Sequence, residues 1–154
     1  MSIHETTIEW RRLTPDFDYA TYDRGHWLDF GAGIRMPGTA ARANIPATAP
    51  VSPGIDPEQA FVGALSSCHM LWFLHLACAA ELVVDRYVDR AVGVLERNGE
   101  GKLAMTQVTL KPSVTFSGTQ PSEVDVRTLH RRAHAKCFIA NSVKTDVTVE
   151  PEFD

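Results

Sequence analysis

An α+β fold is what this sequence predicts, and three observations predict it. Period-two alternation recurs at both ends and in the middle of the chain, and two segments carry helix-opening caps. The third is Asn98-Gly99 between two alternating runs, the strongest short-range signal of an antiparallel hairpin. The 154 residues (17.0 kDa, 44% hydrophobic and 22% charged) have ordinary globular balance and are expected to form one domain over residues 1–154. A net charge of −4 argues against a nucleic-acid partner or an anionic membrane, both of which call for a basic field. Three cysteines, an odd count, do not suggest a secreted disulfide framework. The opening MSIHETTIEWRR lacks a basic-then-apolar leader, so the expected location is the cytoplasm.

In order along the chain, His4 to Leu13 alternates Thr6, Ile8 and Trp10 against polar residues and predicts a half-buried strand. Tyr19–Tyr22 and His26–Phe30 read as two further strands, followed by a turn at Gly31 and Gly33. Five of the nine prolines fall between Pro37 and Pro57, which predicts a long loop. Asp56, Pro57 and Gln59 form a cap, a first-turn proline and a capping-box partner for a helix reaching about Leu82. That helix contains Ser66, Ser67, His69, His75 and Glu81, so it reads as a buried helix rather than a membrane span. It is apolar nearly all round, which calls for cover on every side, part of it from a partner subunit. Val83–Arg97 and Leu103–Ser117 form the hairpin, with a bend at Pro112. Ser122 and Asp125 open a second helix to about Cys137 or Phe138, and Ser142–Val149 is the last strand.

Among residues that could carry chemistry, Cys68 sits in Ser66-Ser67-Cys68-His69, small polar residues in an apolar helix, ten positions after Glu58. It is either core filler or a reactive thiol. Cys78, among alanines, reads as core. His130, His134 and Cys137 share a helix face at metal-ligand spacing, but Arg127, Arg131, Arg132 and Lys136 on the same helix also fit a solvated face. Arg24 reads as an ordinary turn arginine. No phosphate loop, nucleophile elbow or HExxH motif is present.

Two stretches carry a resemblance. Gly54-Ile55-Asp56-Pro57-Glu58-Gln59-Ala60-Phe61, followed by Ser66-Ser67-Cys68, resembles the turn and first redox cysteine of the OsmC/Ohr family of osmotically induced and organic-hydroperoxide-resistance proteins. His134-Ala135-Lys136-Cys137-Phe138-Ile139-Ala140-Asn141-Ser142 resembles the segment around that family's second cysteine. The order of elements fits over nearly the whole chain. Asp56 stands for the usual asparagine, Phe138 for a common proline, and the N-terminal arginine is matched only through Tyr22-Asp23-Arg24-Gly25-His26.

The resemblance implies an intertwined homodimer and a cysteine peroxidase for organic hydroperoxides, without a cofactor. Cys68 would attack and Cys137 would resolve. Arg24, held by Glu58, would supply the cation that a thiolate three turns inside a helix cannot draw from the helix dipole. An external dithiol, of lipoyl type, would close the cycle. The rival readings are a non-enzymatic redox or ligand-binding module, and a metal protein using His130, His134 and Cys137.

Overall fold

The computed structural model describes residues 1–153 and divides into two compact units, Met1–Ala60 and the chain from Phe61 onward. The first unit holds a three-stranded antiparallel sheet, β1 (Thr7–Glu9), β2 (His26–Asp29) and β3 (Arg35–Gly38), in the order β1-β2-β3. The strand expected over His4–Leu13 is thus only three residues long.

Tyr19–Tyr22 is not a strand. Asp18 instead closes a turn, its carboxylate accepting from the Ala20 N–H and its carbonyl from those of Thr21 and Tyr22. A further strand, β3, starts before the predicted loop and runs into it: Pro37 pairs with Trp27 at the sheet edge, where a residue without an N–H is tolerated. Gly31, Ala32 and Gly33 all have positive φ in the preceding turn. The proline-rich loop that follows is organised by Arg42, whose guanidinium donates to the carbonyls of Pro46, Ala47 and Ala49.

Helix α1 spans Pro57–Ala79 and opens on the predicted capping box: Gln59 N–H donates to Asp56 Oδ1 at 2.7 Å, and Asp56 N–H to Gln59 Oε1 at 3.2 Å. It stops before Leu82 because Glu81 adopts φ 58°. Leu82 N–H then bonds the Ala77 carbonyl and Glu81 N–H that of Cys78. This is a Schellman motif, hard to read from sequence because a glutamate occupies the left-handed position usually held by glycine.

In the second unit, β4 (Val83–Asp89) and β5 (Val92–Arg97) run out, and β6 (Leu103–Leu110) and β7 (Pro112–Ser117) return. The long predicted hairpin is broken at Arg90-Ala91 and Lys111, so that β4 pairs with β7 in one sheet and β5 with β6 in another. Asp89 holds the break: its carboxylate accepts from Lys111 N–H at 2.7 Å and from Ser66 Oγ of α1 at 2.5 Å. The hairpin loop is longer than a two-residue Asn-Gly turn. Asn98 Oδ1 accepts from Glu100 and Lys102, and Gly101 rather than Gly99 takes positive φ.

Helix α2 (Glu123–Lys136) carries the predicted Ser122/Asp125 capping box and ends at Cys137. It acts as a crossover, so the last strand, β8 (Asp146–Val149), pairs with β6 in parallel, beside the antiparallel β5-β6 pairing of the hairpin.

Two clusters form the core of this unit. Phe73, Leu76 and Ala77 of α1 pack on Val126, Leu129 and Ala133 of α2, while Leu65 packs on Val108 and Leu110 of β6. Gly93 lets α1 approach β5 closely, since a Cβ there would meet Met105 Cε and stand 2.6 Å from Val62 Cγ2. By length and composition α1 could cross a membrane, yet Leu65, His69, Phe73 and Leu76 are packed into the chain's own core.

His69 of α1 and His130 of α2 are buried between these elements, their rings stacked and Nε2 of His69 lying 3.0 Å from Nδ1 of His130. Burial, and secondarily nearby positive charge, pushes His69 down to about 4 and His130 to about 3. Each folded-state value lies below the ordinary histidine value near 6.5, so the folded state resists protonation that the unfolded chain accepts. The contribution of both histidines is complete above about pH 6.5 and declines as pH falls toward about 4 and then 3. Urea midpoints should therefore drop between pH 7 and pH 5, before most carboxylates titrate; a flat profile over that window would contradict the neutral buried pair.

Candidate functional site

The buried face of α1 leaves an opposite face open. At about 100° per residue, Ala64, Ser67, Cys68, Leu71, His75 and Cys78 fall on the side away from Leu65, His69 and Phe73. Cys78 is accordingly exposed, which corrects the core reading of that residue: its alanine neighbours gave no hint of which side it faces.

Cys68 is half-buried at the edge of this open face. It shares a cavity of about 530 Å³ with Ser67, Leu71, Trp72, His75, Phe138 and Ile139. Of its two serine neighbours, only Ser67 lines the cavity, because Ser66 turns to Asp89. The walls are apolar and aromatic, with Trp72 edge-on to both His75 and Phe138. Phe138, standing where a proline is common in the resembled family, thereby becomes part of the cavity wall.

Cys137 caps the end of α2 and is 1% exposed. Its thiol is pushed up to about 11. Burial contributes most, the adjacent Cys68 adds to it, and the N–H of Ala140, 3.4 Å from Sγ, opposes it. The structure thus brings together the two cysteines that the sequence singled out, both as free thiols. A protonated, sheltered Cys137 beside an accessible Cys68 gives the two sulfurs different chemical access.

Arg24 and Glu58 belong to the first unit, and the structure does not pair them. Arg24 is buried; its Nη1 donates to the Tyr22 carbonyl at 2.9 Å and its Nη2 to that of Tyr19 at 2.8 Å. Its guanidinium lies 3.9 Å from the centre of the Tyr22 ring. Among the described residues it forms no ion pair. The turn closed by Asp18 explains this, because it aims carbonyls where the family resemblance implied a carboxylate. Asp23 next to it is held below the ordinary carboxylate range by the N–H of Gly25 and then by Ser52, which fixes the loop. Arg24 lines a cavity of about 580 Å³ with Trp10, Phe17, Tyr22 and His26. Glu58 accepts from Asn44 Nδ2 at 3.0 Å through Oε1, and its buried Oε2 has no partner among the described residues.

The metal reading of His130, His134 and Cys137 does not hold. His130 turns into the core toward His69, and among the described residues no three His, Cys, Asp or Glu side chains gather as ligands. Helical spacing placed the three on one side of α2, but packing against α1 engages His130 separately. Sequence reasoning missed Asp89 and Trp72. Asp89 looks like any polar position of an alternating strand, and Trp72 like one more apolar residue of α1.

Comparison with known proteins agrees with this architecture. The model of the family described as OsmC-like protein matches residues 50–152. An OsmC-like protein of unknown function from Vibrio cholerae O1 biovar eltor superposes with a TM-score of 0.94 at 41% identity, over 99% of this chain and 100% of that one. The organic hydroperoxide resistance protein OhrB of Bacillus subtilis shares the fold at a TM-score of 0.67 and 14% identity, with 98% of each chain covered. An organic hydroperoxide resistance protein from Elizabethkingia anophelis gives 0.69 and 12%, over 98% of this chain and 94% of that one. A search of curated proteins finds no match. The matched family model covers most of the chain and the Vibrio protein 99% of it, and the chain belongs to the OsmC-like protein family.

Proposed function

We propose that this protein is a thiol-dependent peroxidase that reduces organic hydroperoxides in the cytoplasm as a homodimer. The observation that carries the reading is the juxtaposition of Cys68, at an apolar cavity, with a sheltered Cys137 thiol. The Cys68 thiolate attacks the terminal peroxide oxygen and the O–O bond breaks. The alkoxide leaves, takes up a proton and departs as the alcohol, and Cys68 becomes a sulfenic acid. The Cys137 sulfur then attacks the Cys68 sulfur, water leaves, and a disulfide forms. Two electrons from an external dithiol, of lipoyl type, return both thiols. The aromatic wall of Trp72 and Phe138 suits the organic part of a hydroperoxide better than hydrogen peroxide. Arg24 takes the peroxide-positioning role and Glu58 supports it, on the family resemblance.

The test is rapid-mixing kinetics with cumene hydroperoxide and dihydrolipoamide. Cys137→Ser should retain the first oxidation at a rate within about threefold of the parent, form no intramolecular disulfide, and accumulate sulfinic acid on excess peroxide. A disulfide-linked, fully recycling Cys137→Ser protein would remove Cys137 from the cycle. No consumption of any hydroperoxide by the reduced parent would favour the non-enzymatic binding module instead.

A further inference from the structure

A second cavity, of about 340 Å³, opens between α2 and β8. Its polar lining is Arg127, His130, Arg131 and His134, with no carboxylate among the described residues, and its apolar side is Val147, Val149 and Pro151. The two guanidiniums are only lightly engaged. Arg127 lies over the Phe153 ring at 4.6 Å and 4.0 Å from the exposed Glu123 carboxylate, while Arg131 donates to Thr128 Oγ1. An exposed pair at that distance contributes little.

His130 is the more telling residue. It is 2% exposed, Phe73 and His69 stack on its ring, and Nδ1 is engaged by His69. Nε2, the remaining ring nitrogen, is buried without a partner among the described residues, and His130 lines the cavity. Nδ1 of His69 is likewise buried and unpartnered among the described residues. If His130 donated to His69, the proton on His69 Nδ1 would be an orphan N–H in the core, the rarest kind of unsatisfied group. With His69 donating to His130 the orphan N–H is instead the Nε2–H of His130, and because His130 lines the cavity an acceptor bound there can satisfy it, which nothing can do for His69.

We propose that α2 and β8 form a binding site for a phosphate monoester, held by Arg127, Arg131 and the Nε2–H of His130. Two planar guanidiniums match a dianionic oxyanion bidentately, better than they match a single carboxylate. The Val147, Val149 and Pro151 wall adds contact for the esterified organic group, which inorganic phosphate lacks. The site is separate from the Cys68 cavity and its test does not depend on peroxidase activity.

The probes are phenyl phosphate, inorganic phosphate and benzoate, titrated calorimetrically at low salt into the reduced protein. Phenyl phosphate should bind saturably and tighter than the other two, and should shift the His130 Nε2 nitrogen resonance. The surface double variant Arg127→Ala/Arg131→Ala, with an unchanged circular dichroism spectrum, should bind it roughly tenfold more weakly or worse, the loss expected for charge-assisted hydrogen bonds. Absence of saturable phenyl phosphate binding, equal affinity in the double variant, or equal or tighter binding of benzoate or inorganic phosphate would overturn the proposal.

Discussion

Replacing Cys68 by serine should lower hydroperoxide consumption at least about a thousandfold, because a serine hydroxyl is not ionised at neutral pH and no base stands in for the thiolate. Cys78→Ser should leave the rate within about twofold, although Cys78 is the more exposed of the two thiols. The pair of variants separates placement from exposure: both sulfurs lie on the open side of α1, but only Cys68 meets Cys137. Arg24→Ala, measured alongside, should slow the first oxidation about a hundredfold if the guanidinium stabilises the departing oxygen. Equal rates in parent and Cys68→Ser would sink the peroxidase reading. An unaffected Arg24→Ala would reduce Arg24 to what its hydrogen bonds to Tyr19 and Tyr22 already make it, a loop-ordering residue.

A second large effect is expected at Leu71. It is 61% exposed in the single chain, on the same side as the Cys68 cavity, and Phe138 beside it is 67% exposed. A second copy of the chain, docked across a twofold axis on this face, would cover both leucines at once. Burying one such side chain is worth roughly 1.5–3 kcal/mol, so Leu71→Glu should raise the dimer dissociation constant at least about a hundredfold. Light scattering should give about twice 17.0 kDa for the parent. The mass of the variant should fall toward that of a single chain on dilution, with loss of the folded state. A parent that stays folded as a single chain at nanomolar concentration would contradict the homodimer and the shelter it gives Cys68.

The relation between sequence and structure differs from element to element. Both helix starts were legible because a capping box is a local device: Asp56/Gln59 and Ser122/Asp125 need nothing outside four residues. The end of α1 was not, because Glu81 tolerates a left-handed backbone once the Leu82-to-Ala77 bond is made. Likewise β3 escaped notice because Pro37 argues against a strand everywhere except at an edge, and only the finished sheet says which strand is the edge. The cysteines were legible as residue types at the family's spacing. Their neighbours were not: the Arg24–Glu58 pair came from the family resemblance, whereas Arg24 bonds the Tyr19 and Tyr22 carbonyls and Glu58 bonds Asn44; the His130–His134–Cys137 cluster came from spacing, and packing turns His130 to His69.

By itself, then, the sequence determined the α+β class, the two helix caps, the position of the hairpin, and Cys68 and Cys137 as the thiols to watch. These depend on propensity, on capping bonds within one turn and on motif spacing, all properties of short segments. The tertiary structure alone decided that β8 joins β6 in parallel, that Asp89 ties Ser66 to the sheet break, and that Cys78 is open. It alone decided that His130 turns inward to His69. Each of these depends on which face of an element meets another. An apolar helix such as α1 carries almost no amphipathic signal to say so, and the choice passes to the packing of Leu65, Phe73 and Leu76.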